Sequence, residues 1–65
     1  SMIRVGYETN DGQTVIGGAF IGAPDANACM AQLIIDNSHR ADIVTYYYYE
    51  RVVGDEVERI GYVDP

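Results

Sequence analysis

The spacing of apolar and polar residues along the chain predicts a hairpin at the start. Residues 2–9 and 13–21 alternate apolar with polar or small side chains, which is typical of strands buried on one face. Between them, Asn10-Asp11-Gly12 is a turn sequence. With a two-residue type I′ turn at Asp11-Gly12, the strands share one face and pair Tyr7 with Ile16, Val5 with Gly18, and Ile3 with Phe20.

The middle of the chain has the apolar period of a helix. Gly22-Ala23-Pro24-Asp25 predicts its start, because proline fits the first helical turn and an acidic residue there complements the helix dipole. Asn37-Ser38 predicts its end, since both residue types favour caps and turns. One helical face then carries the apolar side chains of Ala26, Cys29, Met30, Leu33 and Ile34.

The last third of the chain predicts a second hairpin. Residues 43–53 are rich in valine and tyrosine, which suit a pleated surface. Gly54-Asp55 has the composition of a two-residue turn. The resulting register pairs Arg51 with Glu58, Glu50 with Arg59, and Tyr48 with Gly61. The two opposite-charge pairs support this register, as does the tyrosine ring that lies across from a glycine.

The element order β-β-α-β-β predicts an α+β fold, a four-stranded antiparallel sheet with one amphipathic helix packed on one face. The pattern leaves the strand order open. Residues 1–65 are expected to form a single domain, and Ser1 ahead of Met2 is typical of a cloning remnant. A chain this short buries only about 60% of its unfolded surface, so self-association is one route to added stability.

The run Tyr46-Tyr47-Tyr48-Tyr49 sends two rings to each face of its strand. One face is richer in valine and is predicted to be the core: it carries Val44, Tyr46, Tyr48, Val52, Val57 and Val63. The other face is predicted to be an exposed interaction patch beside Arg51, with Tyr47, Tyr49, Tyr62, Ile43 and Ile60. Two alternatives stay open, namely an inverted assignment of the faces and tyrosine acting only as a good strand former.

The charge balance limits the classes of partner. Four arginines, no lysine and ten carboxylates give a net charge of −6, which disfavours direct binding to nucleic acid or to anionic membranes. Glu56 and Glu58 beside Asp55 form an acidic edge that suits a basic protein partner, or that simply discourages aggregation. The absence of a long apolar run and of a signal-peptide pattern predicts a cytoplasmic location.

Candidate catalytic and cofactor-binding groups are few. His39 is the only histidine, with Asp36 or Asp42 as possible orienting groups, and a solvated loop histidine is the simpler interpretation. Cys29 falls on the apolar helical face, which is typical of a core residue. The sequence has no calcium-loop spacing, no phosphate-binding glycine loop and no set of zinc ligands. We therefore expect no enzyme activity, cofactor or metal.

These features rank three hypotheses for the function. The first is a small non-catalytic protein-binding module, such as an inhibitor or accessory protein of a phage or mobile element, that acts through a tyrosine-rich sheet face and an acidic edge. The second is a homodimer that sequesters a small ligand at the dimer cleft. The third is a small enzyme that uses His39.

Overall fold

A computed structural model describes all 65 residues, and its strands form one antiparallel sheet in the order β2-β1-β3-β4. Helix α1 packs on β1 and β2, which confirms the predicted α+β fold. The elements are β1 (Met2–Thr9), β2 (Thr14–Phe20), α1 (Ala23–Asp36), a short 3₁₀ helix (Ser38–Arg40), β3 (Val44–Val53) and β4 (Glu56–Val63).

Helix α1 presents the predicted apolar face to the sheet. Ala26 and Met30 are buried, and Cys29, Leu33 and Ile34 pack at the margin of the same core. The helix ends at Asn37, as predicted. The Asn37 side chain donates to the Leu33 carbonyl at 2.9 Å, and its backbone N–H donates to the same oxygen at 3.0 Å. Both bonds satisfy a carbonyl that the helix itself leaves without a partner.

The first hairpin has a three-residue turn instead of the predicted two-residue turn. The Thr9 N–H donates to the Gln13 carbonyl at 2.9 Å, the Gly12 N–H donates to the Thr9 carbonyl at 3.0 Å, and Gly12 has a φ of 84°. A type I turn followed by a left-handed glycine is a common alternative to the type I′ turn. The shift makes the predicted Tyr7–Ile16 pair wrong, because Tyr7 pairs with Val15.

A bulge at Gly17 then compensates for the longer turn. Gly17 has no partner on β1, so the following pairs return to the predicted register. The pairs Val5–Gly18 and Ile3–Phe20 are therefore confirmed.

The second hairpin has the predicted two-residue turn. Val53 pairs with Glu56, and Gly54 has a φ of 58°. The predicted pairs Arg51–Glu58 and Glu50–Arg59 are confirmed. Beyond them, a bulge at Ile60 shifts the register by one residue, so Gly61 lies opposite Tyr49 and the predicted Tyr48–Gly61 pair is wrong.

A third bulge, at Thr45, interrupts the pairing of β3 with β1. Because each inserted residue reverses the alternation of side chains, the three bulges decide which residues face α1. Val44 and Val63 lie in or against the core, as predicted. The predicted core position is wrong for Tyr46, Tyr48, Val52 and Val57, which lie on the face of the sheet that points away from α1.

Candidate functional site

The predicted interaction patch does not form one exposed surface. Tyr47 is 1% exposed and packs in the core beside Tyr7, with ring centroids 5.7 Å apart. Tyr49 packs against the same core, and its hydroxyl donates to Asn27 Oδ1 at 3.0 Å. The predicted exposure is therefore wrong for Tyr47, and Tyr49 is partly buried. The physical reason is that the other face of the strand carries a group of charged side chains, which cannot form an apolar core.

The two predicted isoleucines lie at separate places. Ile43 is partly exposed just before β3, and its carbonyl accepts the Asn10 N–H at 2.9 Å. Ile60 is the bulged residue of β4. It lines a shallow groove of about 290 Å³ between α1 and the sheet, together with Ile3, Ala23, Ala26, Asn27, Tyr49 and Gly61.

The predicted charged residues lie at the tip of the second hairpin. Arg51 Nη1 is 3.7 Å from Glu58 Oε1, and both side chains are largely exposed, as is Glu56. An exposed ion pair of this kind contributes about 0–1 kcal/mol. The acidic edge is thus a solvated feature of the hairpin, separate from the tyrosines.

The face of the sheet away from α1, here called the open face, carries a cluster that the sequence analysis missed. Arg59 is at its centre. Arg59 Nε donates to Glu50 Oε2 at 3.1 Å, Nη1 donates to the Tyr46 hydroxyl at 3.3 Å, and Nη2 lies 3.6 Å from Glu8 Oε1. The guanidinium carbon lies 3.9 Å from the centroid of the Tyr48 ring. Every polar edge of this guanidinium thus faces a partner.

Tyr48 is 1% exposed although no helix covers its face of the sheet. Its ring lies beneath Arg59 and above Gly6, where a Cβ atom would approach the Tyr48 hydroxyl to 2.5 Å. The lack of a side chain at Gly6 is therefore what lets the ring lie flat. Burial and the nearby Glu50 charge raise the pKa of the Tyr48 phenol above its ordinary value.

Glu50 joins the two arginines of the open face. Its carboxylate accepts from Arg4 Nε at 2.9 Å and from Arg59 Nε at 3.1 Å, and its side chain is 9% exposed. Burial opposes the Arg59 charge, but the hydrogen bonds to Tyr46 and Glu50 more than offset it, and the pKa of Arg59 is raised. With Glu8, the cluster holds two positive and two negative groups and has no net charge.

Exposed apolar side chains surround this neutral cluster. Tyr62 on β4 is 63% exposed, and its ring meets Tyr46 edge to face with centroids 5.1 Å apart. Ile16 on β2 is 56% exposed, and Met2 and Val57 are also exposed. Tyr62 is the one predicted patch residue that the structure places on this face. Part of the cluster had a sequence signal, because Glu50–Arg59 lies on the same face as Tyr48, whereas the proximity of Arg4 and Glu8 depends on the strand order.

The remaining candidate groups lie outside the open face. His39 is exposed in the 3₁₀ helix and makes no hydrogen bond or ion pair with Asp42 or with Asp36, which accepts from Gln32 Nε2 at 2.7 Å. Cys29 is partly buried on α1. No group of three or more His, Cys, Asp or Glu side chains is placed to share a metal ion.

The single α-helix is too short to span a lipid bilayer.

Comparisons with protein-family models, with curated proteins and with solved structures found no match to this chain.

Proposed function

We propose that this chain is a small non-catalytic protein-binding module whose binding surface is the open face of the sheet. The observation that carries the proposal is the composition of that face, where Arg59 lies among three tyrosines, one of them the exposed Tyr62, with exposed Ile16 and Val57 nearby. Arginine and tyrosine, together with tryptophan, are enriched among the energetically dominant positions of protein interfaces.

The order of the cluster favours tight contact. Arg59 is held by Glu50 and Tyr46 and stacks on Tyr48, so little side-chain freedom remains for a partner to restrict. Association costs about 0.5–1.5 kcal/mol for each flexible side chain that it immobilises. A guanidinium fixed in advance avoids most of that cost.

The edges of the sheet favour contact through a face. β2 and β4 are the edge strands, and each contains a bulge, at Gly17 and at Ile60. Bulges on edge strands hinder the addition of another strand by backbone pairing. Contact through side chains of the open face is therefore the better-supported mode.

The proposal is tested by replacing single positions with a photo-crosslinking amino acid in cells that produce the protein naturally. Tyr62 tests the open face. Ile35 on α1 has a similar exposure of 64% and is the matched control. We expect protein adducts from position 62 and none from position 35, and loss of the position-62 adducts when Arg59 is replaced by Ala. Equal labelling at both positions, or no adduct at position 62, would contradict the proposal.

A further inference from the structure

We propose that the partner on the open face is a second copy of this chain, in a dimer whose twofold axis runs parallel to the strands. This inference rests on the proposed function, because it takes the open face as the binding surface. It adds the identity of the partner and one specific contact, in which Ile16 of each copy meets Tyr62 of the other.

The contact follows from one row of residues across the open face. Ile16 pairs with Gly6, Gly6 pairs with Tyr48, and Tyr48 pairs with Tyr62, so these four residues lie side by side on β2, β1, β3 and β4. The two ends of the row project, since Ile16 and Tyr62 are 56% and 63% exposed. Between them, Gly6 has no side chain, and the Tyr48 ring lies over it beneath the Arg59 guanidinium.

Twofold symmetry turns this row into a self-complementary surface. A rotation by half a turn about an axis along the strands, in the plane of the interface, keeps each residue at its height along the strands and exchanges the two edges of the sheet. The β2 end of one row then lies over the β4 end of the other. Ile16 contacts Tyr62 twice in each dimer, and the Gly6–Tyr48 part of each row faces the same part of the other copy.

The charge distribution favours a second copy over a basic partner on this face. Arg4, Arg59, Glu8 and Glu50 neutralise one another there. The whole chain has a net charge of −6, so the excess negative charge lies elsewhere on the molecule. Two copies with this charge repel each other least when they join through the neutral face. A basic partner would be drawn to the acidic remainder of the surface.

The dimensions of the molecule set an upper limit on the size of this interface. The Cα atoms span 33 × 23 × 15 Å. The two longest dimensions bound at most about 760 Å², so a dimer through the open face would be no larger than the standard interface, to which each partner contributes roughly 800 Å².

The test measures mass in solution by light scattering across a wide dilution range, with two complementary variants. Ile16→Asp and Tyr62→Arg each disrupt both Ile16–Tyr62 contacts of a dimer. We expect each to raise the dimer dissociation constant by at least about 100-fold, because interface tyrosines of this kind are frequent sites of dominant binding energy. Ile35→Asp has the same chemistry as Ile16→Asp at an exposed position on α1, and it should leave the dimer unchanged.

Mixing the two variants provides the decisive measurement. In a mixed dimer, the carboxylate introduced at position 16 faces the guanidinium introduced at position 62, and the other contact is native. We expect dimers to return on mixing, with circular dichroism confirming that each variant is folded. A failure to return, or a wild-type dimer that neither variant weakens, would overturn the proposed arrangement.

A wild-type monomer at every concentration would also overturn the inference. The proposed function would then be judged by the crosslinking at position 62. Adducts to a different protein would leave the function in place with a foreign partner, and no adducts would remove both proposals.

Discussion

The two faces of the sheet bury neighbouring tyrosines to the same extent by different means. Tyr47 and Tyr48 are each 1% exposed, yet they point to opposite sides of β3. On the helix side, Tyr47 packs in an apolar core with Met30 and Tyr7. On the open side, Tyr48 is covered by the Arg59 guanidinium, which carboxylates hold in place. Burial alone therefore does not tell a core residue from a residue of a polar cluster.

The two kinds of cover differ in what they require. Apolar packing is non-directional, and the free energy that it contributes is proportional to the apolar area removed from water. The cover over Tyr48 depends on the position of one charged group and on hydrogen bonds that keep it there. The helix side should therefore be sensitive to lost volume, and the open side to lost charge and geometry.

The largest expected effect comes from removing the ring on the helix side. Tyr47→Ala should reduce the free energy of unfolding by about 3–5 kcal/mol, the range for a large-to-small change in a core. Because a domain of this size has roughly 3–5 kcal/mol in total, the variant should be largely unfolded. Far-ultraviolet circular dichroism with urea titration measures the loss. Tyr62→Ala at an exposed position is the control; at a low protein concentration, where the chain is monomeric, it should remain folded, and similar losses in the two variants would refute the distinction.

An intermediate effect is expected from removing the charged cover on the open side. Arg59→Met keeps much of the side-chain volume but deprives Glu50 of one partner and Tyr48 of its cation. The expected loss is about 2 kcal/mol, typical of a hydrogen bond to a poorly exposed charged group. Arg51→Met removes the exposed pair with Glu58 and should cost no more than about 0.5 kcal/mol. Urea titrations at low protein concentration measure the free energy of unfolding of the two variants. Equal losses in Arg59→Met and Arg51→Met would mean that the cluster contributes no more than an exposed surface pair.

The smallest expected effect is on the pH dependence of stability. Burial raises the pKa of Tyr48 and Tyr49 above 10.0, with added repulsion from Glu50 for the first and from Cys29 for the second. Both phenols then keep their protons in the folded state at a pH where the unfolded chain loses them. Their contribution to stability is complete below pH 10 and falls as the pH rises through the folded-state values.

Phenolate absorbance during an alkaline titration separates the two faces. Glu50→Gln should lower the pH at which Tyr48 ionises and leave Tyr49 unchanged, because only Tyr48 is affected by that carboxylate. Single Tyr48→Phe and Tyr49→Phe variants show which of the two absorbance changes at the highest pH belongs to which tyrosine. A shift of both components in Glu50→Gln would show that the two faces are not electrostatically separate.

The sequence was sufficient for the elements because each is specified locally. The apolar period from Ala26 to Ile34 predicts the helix, and Gly54-Asp55 with the Arg51–Glu58 pair predicts the second turn. The bulges were not predictable in this way. The bulge at Gly17 leaves the predicted pairs far from the turn in place and shifts those near the turn, whereas the bulge at Ile60 does the opposite. Because some predicted pairs fit in each hairpin, a few well-matched pairs do not reveal a bulge.

The buried face of the second hairpin was assigned wrongly because the numbers of valines on the two faces do not decide which face is buried. Both faces of the second hairpin carry one opposite-charge pair, but only Glu50–Arg59 also lies beside Arg4 and Glu8 on β1. That neighbourhood depends on the strand order β2-β1-β3-β4, which the sequence pattern left open. Once β1 lies next to β3, four charges converge on one face, and that face cannot be an apolar core.

The three bulges also have a consequence for how this protein can change over time. Each is a single residue, Gly17, Thr45 or Ile60, that offsets the inward and outward positions of the residues beyond it. Loss of the codon for one of these residues removes the bulge and leaves the pairs on either side of it, and their faces, in place, whereas loss of a paired residue of the same strand exchanges the inner and outer residues of the segment beside it. Deletions at these three positions, like deletions in the turn around Asn10-Asp11, are therefore expected to be better tolerated than deletions at paired positions of the strands.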